Sequence, residues 1–220
     1  MNIKDHFHTL RSTGLFSGIS DAELESVLDC VGAQKKVARK GKMILQAGDR
    51  PRHVGIVLAG QLHVVREDYD GNRSLISVLT PGDTFDEALC CAGVSESPVS
   101  VIAGLDSTVM LLSFERILHI CTNACLFHGR LVENMLGLIA GKNLAMQSHM
   151  EILSMKTIRL KVMRHMESLG AKKDCEIAIP FSRDELANYL CVDRSALSHE
   201  LSRMRRDGLI DYRKNRFVLR

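Results

Sequence analysis

The chain predicts an α+β fold: an N-terminal antiparallel barrel or sandwich, a long helix, and a C-terminal helix-turn-helix with a hairpin wing. Three observations carry this. Short β-branched runs cut by glycine turns fill 31–114, a proline-free stretch of helical period fills 114–153, and two capped helices precede a basic hairpin at the end. The predicted domains are 1–114, 115–153 and 154–220. At 220 residues, 45% hydrophobic and 25% charged, the chain can bury a substantial core.

In chain order, Ser20-Asp21-Ala22-Glu23 forms a capping box that starts a helix running to about Cys30. Strands follow at Gly55-Ile56-Val57-Leu58, Leu62-His63-Val64-Val65, Leu75–Leu79, Val99–Ile102 and Val109–Leu112. The turns between them sit at Ala47-Gly48-Asp49, Ala59-Gly60, Tyr69-Asp70-Gly71-Asn72 and Pro81-Gly82-Asp83. Beyond Phe114 one row of positions, His128, Leu131, Met135, Leu138, Lys142, Ala145, His149 and Ile152, advances by threes and fours as a heptad-like seam. A second row, Ile139, Met146, Met150 and Leu153, lies beside it. The first row is assigned to a dimer seam through Leu131, Met135, Leu138, Ala145 and Ile152, and the second to cover for the barrel.

Residues Met155 to Leu169 form an amphipathic helix stopped by Gly170, and Glu176–Pro180 reads as a short strand. Ser182 and Glu185 make another capping box, with Leu186, Ala187 and Leu190 facing inward. Asp193 caps a second helix whose inward positions are Ala196 or Leu197, Leu201 and Met204, and Gly208 ends it. This leaves Arg194, Ser195, Ser198, His199, Ser202 and Arg203 outside. A second helix that starts with small, hydrogen-bonding side chains can enter a major groove. The hairpin around Arg213-Lys214-Asn215 then offers cations to phosphates.

Charge agrees with that assignment. Residues 1–154 carry 14 Lys/Arg against 17 Asp/Glu, and residues 155–220 carry 15 against 9, so −3 and +6. Concentrated positive charge drives affinity for nucleic acid through counterion release. No apolar run approaches the roughly 20 residues that cross a bilayer, and the start lacks a secretory core, so a cytoplasmic location without membrane contact is expected. Seven cysteines point to reduced thiols rather than a disulfide framework.

With these motifs in place the chain resembles the CRP/FNR family of transcription regulators. Lys40–Asp49, Gly55–Leu62 and Pro81–Phe85 resemble the glycine-punctuated strands of its cyclic-nucleotide-binding jelly roll. The resemblance implies a β-roll sensor, a dimerisation helix and a winged helix-turn-helix. It also implies a homodimer on palindromic double-stranded DNA, RNA polymerase as a partner, and a small effector that reorients the DNA heads. It places Arg194, Ser195, Ser198 and His199 at base-reading positions. Ser195 and His199 stand where the family often has glutamate and arginine, which makes Arg194 the expected guanine reader. Ser182, Arg183, Arg213 and Lys214 are the expected phosphate contacts.

The effector pocket is expected around Phe85, Asp86, Glu87, Cys90, Cys91 and Ser97. Cyclic-nucleotide binders of this fold carry a Gly-Glu pair and, some ten residues on, an Arg-Ser or Arg-Thr pair. Here the first reads Asp86-Glu87 and the second Ser97-Pro98, which removes the cation a phosphate needs and disfavours cAMP. Only Cys30 precedes residue 90, against an iron–sulfur cluster of the family's type. His119, Cys121, Cys125 and His128 are four potential ligands whose spacing matches no zinc pattern, so no metal site is assigned. Haem stays open, with His53, His63 and His149 as candidate axial ligands. A constitutive DNA binder with a vestigial roll is a second reading. A cupin-like enzyme is the remote one, because the barrel histidines His53 and His63 form no close His-x-His pair.

Overall fold

Antiparallel strand pairing organises the N-terminal half. Eight strands, β1 (Gln34–Ala38), β2 (Met43–Leu45), β3 (His53–Ala59), β4 (Leu62–Glu67), β5 (Arg73–Leu79), β6 (Thr84–Phe85), β7 (Ser100–Ala103) and β8 (Ser107–Ser113), form two four-stranded sheets. All their pairings are antiparallel, in the orders β1-β8-β3-β6 and β2-β7-β4-β5. Each sheet interleaves early and late strands, as a jelly roll does. The computed structural model describes residues 3–68, 73–118 and 126–220. The chain divides into two units, Met1–Ala140 and Gly141–Arg220.

Central strand β3 is buried on both faces. Val57 points into the roll with Leu62, Phe85, Val101 and Val109, while Val54, Ile56 and Leu58 point outward onto a helical layer. Helices α1 (Phe7–Ser12) and α2 (Asp21–Cys30) supply Leu10, Leu24 and Leu28 to that layer. The capping box of α2 forms as its sequence predicts, Ser20 N–H donating to Glu23 Oε2 at 2.8 Å. Gly55 is required because a Cβ there would fall 2.0 Å from the Phe85 ring. Gly60, at φ +85°, turns β3 into β4 with no room for a side chain against Asp106. Two short helices that periodicity alone does not reveal, α3 (Glu87–Cys91) and α4 (Phe114–Leu118), complete the layer around the roll.

Helix α5 (Leu126–Ser154) corrects the sequence assignment of its faces. Leu131 and Met135 are buried in the helical layer of the first unit, and Ile152 is buried in the core of the second. Those three side chains are covered by their own chain. Of the other two assigned positions, Leu138 is half-buried and Ala145 is exposed. The neighbouring row, Val132, Leu136, Ile139, Asn143, Met146 and Met150, again at steps of three and four, is the more open one: Leu136, Asn143, Met146 and Met150 are exposed, while Val132 and Ile139 are half-buried against the first unit's core. Leu136 is 64% exposed against 1% for Leu131.

The second unit packs the end of α5 with α6 (Ile158–Ser168), α7 (Arg183–Tyr189), α8 (Arg194–Arg206) and a three-stranded sheet of β9 (Glu176–Ala178), β10 (Ile210–Arg213) and β11 (Arg216–Leu219), in the order β10-β11-β9. Its core holds Ile152, Val162, Met166, Leu186, Leu190, Leu197, Leu201, Met204 and Phe217. The wing hairpin Tyr212↔Phe217 and Arg213↔Arg216 turns at Lys214, φ +56°.

Candidate nucleic-acid interface

Three side chains fix the two helices of the motif. Ser182 Oγ accepts from Glu185 N–H at 3.3 Å while its own N–H donates to Glu185 Oε2 at 2.7 Å, which starts α7. Asp193 Oδ1 accepts from Ala196 N–H at 2.9 Å and starts α8. Arg159 of α6 donates to Glu200 at 2.6 Å and to Asp207 at 2.7 Å, tying α6 to the middle and the end of α8. Leu197, Leu201 and Met204 are buried and hold α8 from beneath, so its opposite face is presented outward.

That outward face brings together all four residues assigned to base reading. Arg194, Ser195, Ser198 and His199, with Ser202, line one surface hollow of about 400 Å³. It continues past His199 to Arg203 and Arg206. Ser198 Oγ donates to Arg194 O at 3.0 Å and Ser202 Oγ to Ser198 O at 2.9 Å, so both hydroxyls present lone pairs to the outside. Ser195 Oγ donates to Asp193 Oδ1 at 2.5 Å. Arg194 Nε lies 3.0 Å from Asp184 Oδ1 of α7, a partner that helical spacing within α8 does not reveal.

The four phosphate candidates part company. Arg213 and Lys214 are exposed at the wing tip. Ser182 is exposed, and its oxygen also serves the cap of α7. Arg183 is half-buried: its guanidinium sits 5.2 Å from the Tyr212 ring centroid and 5.5 Å from that of Phe217, and it donates to Lys214 O at 3.3 Å. It braces α7 against the wing.

In the first unit the six effector-pocket candidates do not form one open cavity. Phe85 fills the roll against Gly55. Ser97 is buried and donates to Val99 O at 2.7 Å. Asp86 stands at φ +63° before α3, where burial, and then the neighbouring Glu87, pushes its carboxyl up to about 7. Burial pushes the Cys90 thiol up to about 12 and also raises that of Cys91, whose Sγ faces Met135 Sδ at 3.7 Å. Of the six, Cys90 alone lines a groove of about 680 Å³ with Arg50, Arg52, His53, Phe114 and Leu118.

The candidate haem histidines have different surroundings. His63 Nε2 meets Gln61 Oε1 at 3.2 Å, His149 Nε2 meets Tyr189 O at 2.8 Å, and half-buried His53 lines the groove. His119, Cys121 and Cys125 lie outside the described residues. His128 is buried, with Nε2 3.0 Å from Arg116 O and 3.8 Å from Cys30 Sγ. Among the described residues no three His, Cys, Asp or Glu side chains are grouped to hold a metal ion. Among them, too, no helix is long and apolar enough to cross a membrane.

Two family models match the chain in tandem: a cyclic nucleotide-binding domain over residues 35–124 and a Crp-like helix-turn-helix domain over residues 158–220. Among curated proteins none matches. Solved structures with the same fold include the catabolite activator protein of Thermus thermophilus, with 21% identity over 94% of this chain and 93% of that one and a TM-score of 0.54. DNR from Pseudomonas aeruginosa shares 19% identity over 100% and 96%, with a TM-score of 0.55. The c-di-GMP responsive global regulator CLP of Xanthomonas campestris shares 16% over 91% and 99%, with a TM-score of 0.59. With a β-roll, a long helix and a capped, winged helix-turn-helix in that order, and both domain families matched in the same order, the chain belongs to the CRP/FNR family of transcription regulators.

Proposed function

We propose that this chain is a homodimeric, sequence-specific DNA-binding regulator, not an enzyme, controlled by a small effector other than a cyclic nucleotide. The observation that carries the DNA-binding part is the outward face of α8. Four polar side chains suited to base edges converge there on one hollow, beside Arg203 and Arg206 and in a unit with a positive excess. The exposed side chains Leu136, Met146 and Met150, on one row with Asn143, support pairing with a second copy, because exposed apolar side chains in such a row gain from being covered. An asparagine within such a seam favours one register over its alternatives.

The effector reading rests on charge. Ser97-Pro98 stands where the family's phosphate-binding arginine pair is expected and supplies no cation, and Asp86 adds an acid beside the retained Glu87. A cyclic nucleotide would meet repulsion there.

Gel-shift titration of the full chain against genomic fragments, with and without small-molecule extract, tests the reading. The expected result is a discrete complex with a subset of fragments that the extract strengthens. Uniform binding to all fragments under both conditions would overturn it. Calorimetry with cAMP is expected to show no sub-micromolar binding.

A further inference from the structure

We infer that Asp184 is a positioning residue for base recognition: it holds Arg194 by Nε so that the guanidinium's two terminal nitrogens face the groove as a fork. The inference rests on the DNA-reading assignment of α8. Its starting point is the 3.0 Å contact between Arg194 Nε and Asp184 Oδ1, which joins the first turn of α7 to the first turn of α8.

An arginine reads guanine through two parallel N–H bonds to O6 and N7. A guanidinium has five donors. The carboxylate stands beside Nε as an ion pair rather than an aligned hydrogen bond, so it engages one side of the guanidinium, while an end-on fork would use the two Nη groups. An unheld arginine must also give up rotamer freedom to adopt that pose, and a partner that has already selected it reduces the loss. The other side chains on this face give Arg194 no such support. Ser195 is engaged with Asp193, Ser198 and Ser202 with the helix backbone.

In the free protein the pair is solvated, with Arg194 65% and Asp184 62% exposed, so it adds little to folding. Docked against a duplex the same pair loses water, and the attraction between its charges strengthens as screening falls. An acidic side chain facing phosphates would otherwise repel them. Paired with Arg194, its charge is answered within the protein. The same carboxylate also lies in the first turn of α7, where a negative charge suits the helix start. A purely structural role there would affect stability and not base preference, which separates the two roles by experiment.

The test selects randomised duplexes with the full-length wild type and with Arg194→Ala, Asp184→Asn and Asp184→Glu, sequences the bound DNA, and records the melting temperature of each protein. Arg194→Ala is expected to erase the preference at one base pair of each half-site, a loss of about 5- to 150-fold for a bidentate contact. Asp184→Asn is expected to weaken preference at that same base pair by about 5-fold or more, within that range, while affinity for non-specific DNA stays level or rises. Asp184→Glu is expected to restore part of the preference. An unchanged preference in Asp184→Asn, with or without a lower melting temperature, would overturn the inference. So would a sharper preference, because Asp184 would then be withholding Arg194 from DNA. If the wild type itself selects no sequence, the DNA-reading assignment falls, and the inference falls with it.

Discussion

Neither ring nitrogen of buried His165 has a hydrogen-bond partner, and the ring packs against Phe181 and Tyr189, with His149 stacked on the far side of the cluster at 4.1 Å from Tyr189. Burial, and then the like charge of His149, lowers its pKa below the ordinary 6.5. The unfolded chain therefore binds this proton more readily than the folded one. Stability from neutral His165 is full above pH 6.5 and is lost as pH falls through the lowered folded value. Urea denaturation of the second unit is expected to give a midpoint that drops between pH 7 and pH 5, with a shallower drop in His165→Leu. Asp86 has the opposite sign. Its carboxyl is raised from 3.8 to about 7, so the folded state binds the proton more tightly and stability falls as pH rises through that window. Asp86→Asn, which tolerates the left-handed backbone there, is expected to raise the melting temperature more at pH 8 than at pH 5. An equal gain at both values would remove the burial argument.

At the scale of the element, helix α5 carries two apolar rows that differ in what covers them. Leu131 is a core residue of the first unit, so Leu131→Ala is expected to cost about 2–5 kcal/mol in unfolding free energy. Leu136 is on the open row, so Leu136→Asp is expected to leave each protomer folded and convert dimers to monomers in sedimentation analysis. Unfolding by Leu136→Asp, or a dimer that survives it, would return the seam to the first row. In α7, Ser182→Ala removes the side chain that accepts from Glu185 N–H, and a loss of about 1 kcal/mol is expected. The cap and the proposed phosphate contact would use one oxygen, so this variant is expected to weaken both.

For the whole molecule, the division of labour on the DNA face sets the salt dependence. If the exposed wing-tip residues Arg213 and Lys214 meet phosphates as proposed, replacing either by alanine is expected to reduce the slope of log K against log salt by about one per head. The base preferences of those variants should match the wild type. Arg183→Ala is expected to act differently, because the side chain braces the wing on Tyr212 and Phe217: melting temperature should fall along with affinity. Much of this architecture was legible in the residues. Both capping boxes, the buried triad Leu197, Leu201 and Met204, the basic hairpin and the roll's turns at Gly48, Gly60 and Gly82 are local signals, and local hydrogen bonding or steric exclusion enforces them wherever the chain goes, while the turn expected at Tyr69-Asp70-Gly71-Asn72 lies outside the described residues. What had to wait for tertiary structure is everything that depends on which surface meets which. Periodicity shows that α5 has a broad apolar face but not that Leu131 and Met135 cover the roll while Leu136 stays open, since a helix repeats its own geometry and carries no mark of its partner. The same holds for Asp86, whose titration follows from burial, and for Asp184 and Arg194, ten residues apart in the chain and joined only because α7 and α8 pack across the turn between them.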